Sequence, residues 1–300
     1  MSCQSQDNTK NEDANAIVES HKFNAQSLLK NIQVLSSDEY EGRRTETPGS
    51  EKAKNYIISK FKELGVSPLD TQYKQPFFHK GRKKDYNGEN VLGLVKGTAH
   101  PESYIVLSAH FDHEGIKKNK IYNGADDNAS GTSALFAFAE YFMKHPPKHS
   151  VILAAFDAEE LGLVGAKYFV DNSIVPLDYI RANINMDMIS RSENHTLWVV
   201  GPRYYETMRP LVENIEATET FKVEIGHEGL DNKANWTSSS DQAAFHNKGI
   251  PFLFFTVDDH PDYHKPTDDF ENIDPQFYIK SVETIISVFE KMDDLQFKIF

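Results

Sequence analysis

"YIVLSAHFD" (residues 104–112) decides the fold: apolar residues fill successive positions from Tyr104 to Leu107, and His110 and Asp112 follow almost at once. A strand with one wet face alternates apolar and polar residues, so an unbroken apolar run reads as a strand covered on both faces. Five other β-rich runs resemble it: "ENVLGLVKG" (89–97), "SVILAAFDAEE" (150–160), "IRANINMDMIS" (180–190), "TLWVVG" (196–201) and "IPFLFFTVDD" (250–259).

Segments with helical spacing lie between and around these runs. "NAQSLLKNIQVLSS" (24–37), "SGTSALFAFAEYFMKH" (130–145) and "LGLVGAKYFVDN" (161–172) read as helices, and "TPGSEKAKNYIISKFKELGV" (47–66) as one that begins after Pro48-Gly49 and stops at Gly65. "RYYETMRPLVENIEA" (203–217) reads as a helix interrupted by Pro210, and "DPQFYIKSVETIISVFEK" (274–291) as one capped by Asp274 with Pro275 in its first position. Strands alternating with helices imply a three-layer α/β/α fold around a central mixed, largely parallel sheet. Such sheets gather their ligands at the carboxyl ends of the strands.

Four of the runs end in acids or imidazoles. "YIVLSAHFD" ends in His110 and Asp112, "VILAAFDAEE" in Glu159 and Glu160, and "ANINMDM" leads to Asp187. "FLFFTVDDHPDYH" leads to His260 and His264, and "NGADDNASG" (123–131) opens a helix with two more acids. A single H-x-D would mean little, but five such motifs concentrate ligands on one edge of one sheet. Donors of His, Asp and Glu without cysteine suit zinc, or manganese or cobalt, better than calcium. Two ions about 3.5–4 Å apart need a shared carboxylate. "GADDNASG" supplies it, with Gly124 and Gly131 letting the chain turn and Ala129 and Ser130 leaving room. Glu159 and Glu160 are adjacent, so they can serve one site only from a turn, because neighbours on a strand face opposite sides.

The chain has 300 residues, 39% of them hydrophobic, and a formal charge of −13, from 45 acidic and 32 basic residues. That charge repels phosphate backbones and anionic lipid surfaces, which argues against nucleic acid and membranes as partners. No apolar stretch approaches the roughly 18 residues of a membrane span. The one cysteine, Cys3, rules out an intrachain disulfide and a cysteine-based zinc finger. Residues 1–20 are polar and expected to be a disordered tail, and 21–300 a single domain. "SCQSQ" resembles the mature start of a bacterial lipoprotein, implying a periplasmic or secreted envelope protein with a possible lipid anchor at Cys3; a stray cysteine on a cytoplasmic protein is the alternative.

"SAHFD", "NGADDNASG", "FDAEELGLVGA", "NMDM" and "HPDYHKPTD" stand in the order found in the co-catalytic zinc aminopeptidases of secreted bacterial type, which this sequence resembles from about residue 25 to its end. The resemblance implies two zinc ions and a peptide substrate with a free N-terminus. It makes His110 and Asp187 ligands of one ion, Glu160 and His264 ligands of the other, and Asp127 the bridge, with Asp126 its rival. It implies a cis Asp127–Asn128 peptide, Glu159 as general base toward a metal-activated water, and Tyr263 as a donor to the developing oxyanion. Asp112 is expected to orient His110 from behind. His113 and His260 receive no metal in this pattern, Asp268 receives no role, and Asp241 reads as a helix N-cap.

"GHEGLDNKANWTSSSDQ" (226–242), with Trp236, is a candidate wall for the substrate's side chain. No H-E-x-x-H and no G-x-S-x-G occurs, which argues against thermolysin-like and serine hydrolases. Two other readings share the fold: a glutaminyl-cyclase-like zinc acyltransferase, and a non-catalytic binding module, which would show gaps in the ligand set.

Overall fold

The computed structural model describes residues 20–230 and 232–297. The expected tail, apart from Ser20, and Cys3 lie outside them. The strands are β1 (Ser67–Pro68), β2 (Lys74–His79), β3 (Tyr86–Val95), β4 (His100–His110), β5 (Gly115–Lys117), β6 (Lys120–Tyr122), β7 (His149–Phe156), β8 (Ile180–Met186), β9 (Thr196–Val200), β10 (Lys222–Ile225) and β11 (Phe252–Thr256). The helices are α1 (Ala25–Leu35), α2 (Pro48–Glu63), α3 (Gly131–Lys144), α4 (Val164–Asp171), α5 (Arg209–Val212), α6 (Gln242–His246) and α7 (Pro275–Asp293).

All six sequence-read strands form, and they share one sheet in the order β3-β7-β4-β8-β11-β9. The central four, β7, β4, β8 and β11, run parallel. Beyond them β3 runs antiparallel to β7, and β9 antiparallel to β11. The sheet is thus mixed and largely parallel. Every residue of β7 is buried. Val151, Leu153 and Ala155 join a core with α1, α2, α3 and α7, whereas Ile152, Ala154 and Phe156 join a second core with α4 and α6. Two covered faces are what the unbroken apolar runs required.

Some boundaries differ from those read off the sequence. Pro48 lies inside α2, where its lack of an N–H costs nothing, and Thr47 caps the helix by accepting from Ser50 N at 3.3 Å. The expected helix over 203–217 shrinks to a 3₁₀ turn (Glu206–Met208) and α5, because Pro210 suits a helix start and Asn214 adopts φ 61°. Asp274 caps α7 as expected, accepting from Gln276 N and Phe277 N. The edge strands β2 and β10 escape sequence reading: one contains Pro76 and the other is four half-buried residues.

Registers align the carboxyl ends of the parallel strands: His110 lies opposite Phe156, Ser108 opposite Asn185, and Phe255 opposite Met186. The four segments that follow therefore emerge side by side.

Candidate metal centre

The segment between β6 and α3 is the keystone. Gly124 has φ +56°, and a Cβ there would meet Asp127 O at 2.1 Å and the His113 ring at 2.6 Å, so only glycine fits. Gly131 is needed for a different reason than a sharp turn. Its φ is helical, and a Cβ would strike Met186 O at 2.3 Å, so it lets α3 start against β8. Between them the two adjacent aspartates separate. Asp126 accepts from Ser190 N and Oγ, both at 2.7 Å, and meets His260 Nε2 at 3.1 Å. Asp127 turns to the sheet edge instead. The Asp127–Asn128 peptide is cis, as the resemblance implied.

Asp127 offers one oxygen to each of two donor groups. His110 Nε2 lies 3.5 Å from its Oδ1 and 3.2 Å from Asp187 Oδ1. His264 Nε2 lies 3.1 Å from its Oδ2 and 3.6 Å from Glu160 Oε1. Around a tetrahedral ion with bonds of roughly 2.0–2.2 Å, donor atoms stand roughly 3.3–3.6 Å apart. The sets His110/Asp127/Asp187 and His113/Asp127/Glu160 each bring their ligand atoms within 4.8 Å of one another, as does Glu114/Glu160/His264. Glu160 Oε1 is buried without a hydrogen-bond partner, which fits a donor atom meant for a cation.

Glu159 and Glu160 sit on the turn between β7 and α4, which Ala158 enters with φ 61°. Asp112 fixes that turn: its Oδ1 accepts from Glu159 N at 2.9 Å and its Oδ2 from Glu160 N at 3.3 Å. The atom behind His110 is a different one from that expected. Nδ1 meets the backbone carbonyl of Asp112 at 3.1 Å, while the carboxylate, engaged with the turn, stands 3.7 Å away. Tyr263 is half-buried and stacks on the His264 ring at 4.0 Å.

Crowded acids set the electrostatics. Burial pushes Glu159 well above the usual carboxylate range, opposed by His110 and reinforced by Asp187, Asp241 and Asp112. Burial also raises Glu160, but His113, then His110 and His264, outweigh it and hold the group at about 2. Burial depresses His110, but Asp187, Glu159 and Asp127 more than compensate and raise it. Burial, with Asp127 and Asp187, raises Tyr263 and keeps its hydroxyl protonated.

Four residues here escaped sequence reading or were read otherwise. Arg43, fully buried, donates to Phe111 O, Leu35 O, Asn123 O and Gly124 O, and no motif announced it. Asp268 accepts from Asp126 N and Asp127 N, both at 3.0 Å. Asp241 stands at the start of α6, but its side chain makes no cap bond; it is wholly buried, and burial lifts it to about 7. His113 lies inside the second donor group, 2.9 Å from Glu160 Oε1. Trp236 lies flat on His227 with centroids 3.4 Å apart, so the candidate wall is anchored at that end.

Known proteins share this arrangement of chain. The model of peptidase family M28 matches residues 90–289. Aminopeptidase YwaD of Bacillus subtilis is 29% identical over 214 residues, which cover 68% of this chain and 44% of the relative. A probable zinc metalloprotease of Pyrenophora teres f. teres is 30% identical over 145 residues, 47% of this chain and 31% of the relative. The chain thus spans less than half the length of these curated relatives. Among solved structures, the zinc aminopeptidase BSAP from Bacillus subtilis superposes with a TM-score of 0.70 at 17% identity, covering 91% of this chain and 96% of the other. Glutaminyl cyclase from Porphyromonas gingivalis gives 0.73 at 17% identity, covering 91% and 100%. Identities this low speak to the fold alone. The matched family span runs from within β3 to within α7 and takes in every loop of the centre, and the chain belongs to peptidase family M28.

Proposed function

We propose that the chain is a zinc-dependent aminopeptidase, holding one ion through His110, Asp127 and Asp187 and a second through Asp127, Glu160 and His264. The observation that carries this reading is the division of the Asp127 carboxylate, one oxygen toward each donor group. Bound zinc lowers the pKa of water and polarises a carbonyl. The chain's own groups do the rest. Glu159 accepts the proton of the attacking water and returns it to the leaving amine; burial raises its affinity for protons, which suits a base that must also act as an acid. Asp112 holds Glu159 in place through its backbone N–H. The Tyr263 hydroxyl donates to the oxyanion as it forms. Asp241, whose two carboxylate oxygens are buried and unbonded, is the acid left outside the ligand set to favour a cationic end on the substrate, the free α-amine of a peptide. The proposal includes a periplasmic or secreted location with lipid at Cys3, resting only on the residues around Cys3.

Zinc analysis alongside hydrolysis of leucyl and alanyl anilides tests the reading. We expect two zinc ions per chain and release of the aniline. Glu159→Gln should keep the zinc and lose about 10²–10⁴-fold in turnover. Turnover that survives Glu159→Gln undiminished would sink the mechanism. Ammonia release from an N-terminal glutaminyl peptide, without cleavage of anilides, would favour the cyclase reading.

A further inference from the structure

His113 is fully buried, and neither of its ring nitrogens has a hydrogen-bond partner. A buried imidazole whose Nδ1 faces a carboxylate at ion-pair distance, with neither nitrogen in hydrogen-bond geometry, fits a ring meant to meet a cation. Its Nδ1 lies 2.9 Å from Glu160 Oε1 and 3.7 Å from Asp127 Oδ2. Those are the same two oxygens that His264 Nε2 faces at 3.6 and 3.1 Å. We propose that His113 is a protein ligand of the second ion, so that His113 Nδ1, His264 Nε2, Asp127 Oδ2 and Glu160 Oε1 form a closed four-donor site. This rests on the two-ion reading above.

The four separations, 2.9 to 3.7 Å, bracket the roughly 3.3 Å edge of a tetrahedron around zinc. Gly124 leaves room for the ring, since a Cβ there would strike it. Glu114, the other group near His264, is a poorer fourth donor. It faces the far nitrogen, Nδ1, at 4.0 Å and is already paired with Lys117 and Arg44.

The centre then becomes asymmetric. Four protein donors fill the coordination shell of a structural zinc, whereas three leave a position open for chemistry. The three-donor side is His110, Asp127 and Asp187. A zinc enclosed by four protein donors would hold the centre together, and the open position would lie on the side of His110, Asp127 and Asp187.

Nitrogen NMR of the unmutated full chain, labelled with ¹⁵N-histidine and loaded with ¹¹³Cd²⁺, reads this without any activity assay. We expect three imidazoles coupled to cadmium, two through Nε2 and one through Nδ1, the last vanishing in His113→Gln. Two coupled imidazoles, both through Nε2, would overturn the role of His113 and leave the two-ion reading standing. No coupled imidazole would overturn both. In a zinc competition titration, His113→Gln should weaken one of the two ions by about 100-fold. Equal affinities in variant and parent would refute the proposal, and the NMR experiment stands even if the variant does not fold.

Discussion

Arg43 and Asp268 hold the same short segment by its opposite polarities: Arg43 donates to the carbonyls of Asn123 and Gly124, and Asp268 accepts from the N–H groups of Asp126 and Asp127. A loop gripped by both its donors and its acceptors cannot rotate Asp127 without breaking a buried bond.

Replacing Arg43 by methionine keeps most of the volume but removes the partner of four buried carbonyls. Each unsatisfied group costs about 1–3 kcal/mol, and some regain water, so we expect a loss of about 3 kcal/mol or more in urea unfolding. An unchanged unfolding midpoint would show that the carbonyls find other partners.

Asp268→Asn offers one acceptor oxygen where two are used. One N–H, of Asp126 or Asp127, loses its partner, and the Asp127 carboxylate is less well aimed. Zinc affinity should fall about 10–100-fold in a competition titration, a typical cost of disturbing a group that orients a ligand. If zinc is held as tightly as before, the aim of Asp127 is set elsewhere.

Tyr263→Phe retains the ring stacked on His264 and removes only the hydroxyl. Loss of one oxyanion donor costs about 10²–10³-fold in kcat, so turnover should drop by that order with zinc content and thermal stability unchanged. Full activity in the variant would leave Tyr263 a packing residue.

Asp293, at the end of α7, accepts from Lys148 N at 2.6 Å and from His149 N at 2.9 Å, with His149 Nδ1 at 2.9 Å as well. Burial raises this carboxyl, but the His149 side chain and the two N–H groups outweigh it and leave its pKa lowered. A lowered folded-state value means stability that is present above the unfolded pKa, about 4, and is lost as pH falls through the folded value. Asp293→Asn should therefore cost about 1–3 kcal/mol near neutrality, and the gap to the parent should close in acid. A gap of constant size down to pH 2 would rule out the ionised form as the source.

Burial on both faces made the central strands legible, because β4 and β7 carry unbroken apolar runs, Tyr104–Leu107 and Val151–Phe156, shortly before an imidazole or an acid. The acids and imidazoles at their ends were legible for a related reason: a parallel sheet delivers its strand ends to one edge, so residues far apart in sequence can be grouped without coordinates. Arg43 was invisible because its partners are backbone carbonyls, which every residue possesses. Asp268 was seen but could not be given a task, since its partners are backbone N–H groups. His113 was set aside because a pattern carried over from relatives assigns positions, whereas a ring with two unmatched nitrogens is recognised only in three dimensions. Glu206–Met208 and α5 fell short of a full helix because Pro210 begins a helix as readily as it interrupts one.

Asp126 and Asp127 are covalent neighbours with opposite duties, one tied to Ser190 and His260 and the other left facing the sheet edge. The shape of the loop is thus maintained by bonds that use none of the oxygens offered to cations. Such a mould stays open when emptied, and chelation followed by refilling should proceed without the polypeptide having to refold.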